Sequence, residues 1–180
     1  MNETLEYRTV TELRTTGRKL AGHAAVFNVR ASIGGTFNET IKPGAFTQTL
    51  ATRSDIVALV DHDATKLLAR TASGTLRLSE DGKGLAFEID TPDTQLGRDM
   101  LALAARNDLG GMSIGFRATS EAWPTPDSRE IRAIDLVEIS IAQAWPAYAG
   151  TEIALRSRDH CSELSKVYSP AARRRILALL

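Results

Sequence analysis

Three side chains in this sequence have the types that a serine hydrolase needs: His62, Ser113 and Glu138. A histidine can accept a proton near neutral pH, and a serine hydroxyl can attack a carbonyl once it loses its proton. A carboxylate can hold the imidazole in one tautomer. Taken one at a time, however, each residue fits a structural role better, because a lone histidine is most often structural or on the surface.

His62 follows an apolar run of strand length, residues 56–60, with Asp61 between them. Strand alternation places His62 on one face and both Asp61 and Asp63 on the other. We therefore expect neither aspartate to orient the imidazole. The alternative is a histidine at a strand end with an ordinary hydrogen bond.

Ser113 lies in the glycine-rich segment 110–116, GGMSIGF. Alternation puts Ser113 and Gly115 on the face opposite to the apolar side chains. The glycines at 110, 111 and 115 remove side chains around the serine, which is the space that a nucleophile needs for a substrate carbonyl. The alternative is an edge strand whose open face carries a serine.

Glu138 lies inside the apolar segment 135–141, DLVEISI. Alternation places Leu136, Glu138 and Ser140 on one face and Val137, Ile139 and Ile141 on the other. A carboxylate in so apolar a strand either faces solvent or has a partner. Solvent exposure is the simpler of these two interpretations.

The elements that must position these side chains are mostly short strands broken by turn residues. The pattern predicts about eight strands and a convincing helix at 94–107, with a short helix at 45–52. The segment 80–84, EDGKG, is typical of a hairpin turn. We expect a mainly β fold with helices, as a barrel or sandwich. The predicted strands are residues 19–28, 56–60, 67–71, 76–79, 85–90, 112–120, 129–133 and 134–142.

The composition is that of one neutral domain of 180 residues with room for a core. Its 22 basic and 22 acidic residues cancel, which excludes binding to a polyanion by bulk charge. The polar, acidic start does not resemble a signal peptide, and no apolar run reaches the ~20 residues of a membrane span. The single cysteine excludes an internal disulfide and a cysteine-rich zinc site. We expect a cytosolic domain without metal, nucleic acid or membrane partners.

The composition changes after residue 155, which predicts two parts. Residues 1–155 form the strand-rich domain, and residues 156–180 form a polar linker followed by a basic helix. Ser169 and Pro170 can start that helix, which carries three consecutive arginines at 173–175. We expect this tail to be dispensable for the fold.

Five short motifs, in order, resemble those of the caudovirus prohead serine proteases. They cover roughly residues 18 to 155. Each motif is short, but five in order over that length make a specific signal. The motifs are GHAAVFN at 22–28, ETIKPGAF at 39–46, DHD at 61–63, GMSIGF at 111–116 and LVEISI at 136–141 running into Pro146 and Ala147.

The resemblance implies a closed β-barrel with surrounding helices, similar to the herpesvirus assembly proteases. It also implies that Ser113 is the nucleophile and His62 the general base. The third position of the triad falls on Glu138, 25 residues beyond the serine. The oxyanion donors are expected in residues 145–150, where Ala147 is the candidate because Pro146 has no N–H.

The resemblance further implies a serine endopeptidase without cofactor that cleaves scaffold or capsid-protein propeptides, and itself, through an acyl-enzyme. Its partners would be the precursor of a phage major capsid protein, the scaffold protein or both. Association of the chain with copies of itself is compatible with the resemblance. Its location would be the bacterial host cytoplasm, inside the assembling procapsid. The alternatives are a prophage-derived module that binds capsid or scaffold protein without cleaving, and an ordinary intracellular β-barrel binding domain.

Overall fold

A computed structural model describes residues 5–10 and 13–144 of the chain. Strands make up 57% of the described residues and helices 15%, which confirms the predicted mainly β class. The helices are α1 (Thr47–Thr52) and α2 (Gln95–Ala105). The strands are β1 (Glu6–Val10), β2 (Leu13–Thr16), β3 (Lys19–Val26), β4 (Ala31–Ile33), β5 (Phe37–Ile41), β6 (Val57–Val60), β7 (Asp63–Arg70), β8 (Leu76–Glu80), β9 (Gly84–Asp90), β10 (Gly111–Thr125) and β11 (Ser128–Ala142).

The strands form two sheets. The first has seven strands: its main path runs β1-β10-β11-β5-β4, and β6 pairs with the other half of β11 and then with β7. The second sheet has four strands in the order β2-β3-β9-β8. Within the described residues no strand pairing joins the two sheets, so the predicted closed barrel is not confirmed.

The long hairpin of β10 and β11 is the spine of the first sheet. Each strand has 15 residues, so the predicted break between residues 133 and 134 is absent. Pro124 lies within β10, and the turn is confined to Pro126 and Asp127. At the other end of the hairpin, β6 runs parallel to residues 138–141 of β11. The order at that end is therefore β1, β10, β11, β6, β7.

The core lies between the two sheets and one side of α2. Both sheets contribute residues that are at most 4% exposed, such as Leu20 and Phe87 from one and Ile114 and Ile139 from the other. Helix α2 adds Met100, and its first turn is capped by Thr94, whose side chain accepts a hydrogen bond from the Gly97 amide. Burial of these apolar side chains stabilises the sheet that carries the predicted site.

The predicted hairpin at 80–84 is confirmed, because β8 and β9 pair antiparallel across it. Asp81 makes the turn: its carboxylate accepts hydrogen bonds from the backbone amides of Lys83 and Gly84. His23 of β3 also contacts this carboxylate, through Nε2 at 2.9 Å. The His23 side chain therefore helps to hold β3 beside this turn.

Candidate active site

The structure brings His62, Ser113 and Glu138 together on the outer face of the first sheet. Ser113 Oγ lies 2.8 Å from His62 Nε2, and His62 Nδ1 lies 2.6 Å from Glu138 Oε1. Ser113 is 1% exposed and Glu138 5% exposed, so the imidazole connects two buried groups. The contacts form one continuous chain from carboxylate to hydroxyl.

Ser113 and Glu138 owe their common face to the pairing of β10 with β11. In an antiparallel ladder, directly opposed residues project to the same side. Ser113 is opposite Ser140, and Gly115 is opposite Glu138. Met112 and Ile114 project to the other side and are fully buried in the core. The predicted alternation of β10 around Ser113 is thus observed.

The predicted alternation of β11 is wrong at one point, because the strand contains a bulge. The register passes from Gly115 opposite Glu138 to Phe116 opposite Leu136, which leaves Val137 as an extra residue. Leu136 consequently projects into the core with Phe116, not to the face of Glu138 as predicted. Glu138 itself stays on the face of Ser113, because the register from Ser113 opposite Ser140 to Gly115 opposite Glu138 has no irregularity.

We predicted His62 at the end of a strand, but it lies in the turn between β6 and β7. Asp61 and His62 have φ values of 52° and 58°, and Val60 pairs with Asp63. Positive φ at both central residues of a two-residue loop is the pattern of a type I′ hairpin. The prediction that Asp61 and Asp63 do not orient the imidazole is met, but the turn, not strand alternation, is the reason.

Backbone contacts to β11 hold this turn over the sheet. The His62 amide donates a hydrogen bond to Ser140 Oγ at 2.8 Å, and the Asp61 amide donates to the Ile141 carbonyl at 2.9 Å. The Asp61 carboxylate in turn accepts from the amide of Gln143. These anchors place the His62 backbone above β11. From there its ring reaches Ser113, which lies two strand positions away from β6.

Sequence reasoning assigned no function to Ser140 and did not consider Tyr7. Ser140 is 1% exposed and accepts the His62 amide as described. Tyr7, on the edge strand β1, packs its ring against the imidazole with a centroid distance of 4.2 Å. Ser140 occurs in the matched motif at 136–141, which is a signal that could have found it. Tyr7 lies outside every motif and could not have been found in this way.

We predicted that the glycines around Ser113 make room for a substrate. At Gly110 and Gly115 the space is instead filled by other parts of the protein. A Cβ at Gly115 would lie 2.7 Å from Glu138 Cγ and 3.1 Å from the Tyr7 ring. A Cβ at Gly110 would lie 2.1 Å from the Ala144 carbonyl oxygen. Both glycines therefore allow the ends of neighbouring strands and the Glu138 side chain to approach β10 closely.

The electrostatics of the site centre on the buried Glu138 carboxylate. Its Oε1 contacts His62, whereas its Oε2 has no hydrogen-bond partner within the described part of the chain. Burial, and secondly the negative charge of Glu138, raises the pKa of the Tyr7 hydroxyl. An ionised carboxylate can only accept, so His62 Nδ1 donates to it and Nε2 is left to accept from Ser113.

Two further features bear on cofactors and on the remaining predicted residues. Among residues 5–10 and 13–144, no group of three or more His, Cys, Asp or Glu side chains is placed to hold a metal ion. No helix in these two ranges is long and apolar enough to cross a membrane.

Ala147, the predicted oxyanion donor, and the predicted tail at 156–180 lie outside the described residues.

A solved structure with a similar fold is that of the capsid assembly protease of bacteriophage T4. The match has a TM-score of 0.52 and covers 79% of this chain and 99% of the T4 protein, at 9% sequence identity. Similarity at this level of identity shows a shared fold.

Family membership rests on the sequence itself. No curated protein sequence matches the chain significantly. The sequence profile of the caudovirus prohead serine proteases, however, matches residues 3–166, which is most of its length. The match confirms the resemblance seen in the five motifs and extends past residue 155, where those motifs end. The chain therefore belongs to the caudovirus prohead serine protease family.

Proposed function

We propose that this protein is a serine endopeptidase that cleaves precursors of phage capsid or scaffold proteins, and itself, during procapsid maturation. The single observation that carries the proposal is the continuous contact chain from Glu138 through His62 to Ser113, with distances of 2.6 and 2.8 Å. A serine, a histidine and a carboxylate in this order form a triad for acyl transfer. Family membership supports the proposed class of reaction, and the contact geometry supports the choice of residues.

The reaction begins when His62 Nε2 takes the Ser113 proton and Oγ attacks the scissile carbonyl carbon. A C–O bond forms, and the carbonyl electrons move onto the oxygen. As the tetrahedral intermediate collapses, the C–N bond breaks and His62 gives its proton to the leaving amine. Water, deprotonated by His62, then hydrolyses the acyl-enzyme and releases Ser113.

Glu138 keeps the imidazole in the productive tautomer throughout this cycle. Its Oε1 accepts the Nδ1 proton, so Nε2 is free to accept from the serine. When His62 becomes an imidazolium, the nearby carboxylate stabilises its charge, and burial at 5% exposure keeps water from screening that attraction. The main-chain amide of Ala147 is our candidate donor for the oxyanion, a type of contact worth about 3–4 kcal/mol.

The proposed substrates and location follow from the family and from the T4 neighbour, which is a capsid assembly protease. A protease that matures proheads acts on proteins assembled around it, so its substrates are the capsid precursor, the scaffold or both. We place it in the bacterial host cytoplasm, inside the assembling procapsid. The reaction as written needs no cofactor.

The test is co-expression of the full chain with the cognate capsid precursor, followed by intact mass measurement of both proteins. The wild type should shorten the precursor, and Ser113→Ala should leave it intact. Ser120→Ala is the matched control, because Ser120 lies on the same strand β10 but is exposed. Control and wild type should process the precursor equally.

Processing that persists in Ser113→Ala would remove Ser113 from the mechanism. Absence of processing by the wild type, together with co-purification of the intact precursor, would favour the alternative of a non-catalytic capsid-binding or scaffold-binding module. A thermal unfolding curve for each variant shows that the comparison is made between folded proteins.

A further inference from the structure

The imidazole of His62 has a third neighbour beside Ser113 and Glu138, and this is the ring of Tyr7. The ring centroids are 4.2 Å apart and the ring planes are inclined by 60°, an edge-to-face contact. Tyr7 lies on β1, opposite Gly115 of β10 in the ladder. The same pairing puts its side chain on the face that carries Glu138 and Ser113.

Gly115 leaves the space in which this arrangement forms. A Cβ at this position would come within 2.8 Å of Glu138 Oε1 and 3.1 Å of Tyr7 Cε1. Both side chains therefore lie directly over the glycine, with Glu138 coming from one neighbouring strand and Tyr7 from the other. The Glu138 carboxylate and the phenol ring therefore lie side by side over Gly115.

This packing has two consequences for the imidazole. The Tyr7 ring occupies space into which His62 would otherwise rotate, so it limits the ring to orientations near Ser113. It also lies over Gly115 beside the Glu138 carboxylate, and excluding water from a charged pair strengthens its attraction. Misplacement of a catalytic group by about 1 Å can cost on the order of 100-fold in rate.

The contact between Tyr7 and His62 is a contact between their two rings. Burial and the charge of Glu138 both raise the pKa of the Tyr7 hydroxyl, so it stays neutral at neutral pH. A phenylalanine at this position would keep the ring that contacts His62.

We propose that Tyr7 is a positioning residue that holds His62 toward Ser113 and keeps water from the His62–Glu138 pair through its aromatic ring. This inference rests on the proposed function, since it assigns His62 as the general base. It adds to the family motifs a residue from the edge strand β1.

The test compares Tyr7→Leu, which removes the ring, with Tyr7→Phe, which restores it. The first readout is kcat and KM for a peptide substrate. The second is the far-downfield proton resonance of His62 Nδ1–H in the Ser113→Ala background, which is seen only when exchange with water is slow. The control is Phe37→Leu, because Phe37 packs its ring on Trp123, away from the site.

Tyr7→Leu should lower kcat on the order of 10- to 100-fold with little change in KM, and the resonance should broaden or disappear. Tyr7→Phe should restore both readouts, and Phe37→Leu should change neither. Tyr7→Leu with wild-type kcat and an intact resonance would overturn the inference. So would a folded Tyr7→Phe variant whose kcat falls about 10-fold or more below the wild type. This arm is measured against the wild type alone and remains decisive if the leucine variant does not fold.

The two proposals fail in different ways. If the wild type does not cleave, the proposed function fails, but the resonance still reports whether the Tyr7 ring shields the His62–Glu138 pair. If the wild type cleaves and Tyr7→Leu and Tyr7→Phe do not differ in either readout, only the inference about Tyr7 fails.

Discussion

At the scale of single residues, the position of His62 depends on a backbone conformation that few residues adopt. Asp61 and His62 both have positive φ, a region in which Asp and His are more frequent than most non-glycine residues. The hydrogen bonds to Ser140 and Ile141 stabilise this turn. Main-chain anchors therefore fix where the His62 side chain begins, and the contacts of its ring fix the orientation of the imidazole.

The triad assignment predicts a large loss of turnover for Glu138→Gln. An amide can present its NH₂ group to Nδ1, which favours the wrong imidazole tautomer and removes the charge that stabilises the imidazolium. We expect kcat for a peptide substrate to fall about 10³- to 10⁴-fold, as for the corresponding change in other serine proteases. The melting temperature should change by only a few degrees, because the amide has nearly the same shape.

Asp63→Asn is the matched control for this substitution. Asp63 adjoins His62 in sequence, but its carboxylate bonds to the backbone and hydroxyl of Thr65. It should keep turnover near the wild-type value. Wild-type turnover in Glu138→Gln would show that the carboxylate has no part in the mechanism.

At the scale of elements, strand β1 is held to the sheet by a buried network of charges. Arg129, 4% exposed, pairs with Glu6 of β1 and Glu39 of β5 as well as with Glu121. Arg8 of β1 contacts the same Glu39. The network thus lies beside the strand that presents Tyr7 to the active site.

Breaking this network should unfold the protein more easily. Arg129→Met leaves three carboxylates without their shared partner, and removal of one member of a buried pair costs about 3–5 kcal/mol. For a domain of this size the melting temperature should fall by about 10 °C or more. Arg132→Met is the control, because Arg132 is 57% exposed and its pair with Glu130 contributes little.

The dependence of stability on pH gives the same prediction a second readout. Burial opposes the shift, but hydrogen bonds and attraction from Arg129 and Arg8 hold the pKa of Glu6 below its ordinary value of 4.5. This stabilisation is present above pH 4.5 and is lost as the pH falls through the lowered pKa. Glu6→Gln should weaken that acid dependence.

Equal melting temperatures of wild type and Arg129→Met at pH 7 would contradict the stabilising role of the Arg129 network.

At the scale of the whole molecule, the core of the described residues uses both sheets and α2, with Ile141 as its last member along the chain. The family profile nevertheless continues to residue 166, beyond the predicted boundary at 155. We predict that residues 156–180 are dispensable for the catalytic fold. Chains ending at residues 156 and 166 should both unfold within about 8 °C of the full chain and cleave a peptide.

A larger fall in melting temperature for the chain ending at 156, but not for that ending at 166, would place residues 157–166 in the core. A fall for both would place the basic segment there as well. An unchanged melting temperature with lost processing of the capsid precursor would instead make the tail a docking element.

Much of the element order was predictable because apolar periodicity and turn residues act locally. The strands at 19–28 and 85–90, the helix at 94–107 and the hairpin at 80–84 were predicted within a few residues. Strands β1, β2, β4 and β5 were missed. They have five residues or fewer, several of them polar, and form through pairing with neighbours and not through an apolar pattern of their own.

The sequence by itself determined which residue types are present for the chemistry, and the motif order identified the family and with it the three site residues. Only the tertiary structure decided how these residues meet. His62 reaches Ser113 because β6 pairs with β11 and a type I′ turn follows it. Glu138 shares the face of Ser113 through the pairing of β10 with β11, and the bulge at Val137 sends Leu136 to the core instead. Alternation is a property of one strand, whereas turns and bulges are set by hydrogen bonds between segments far apart in the chain.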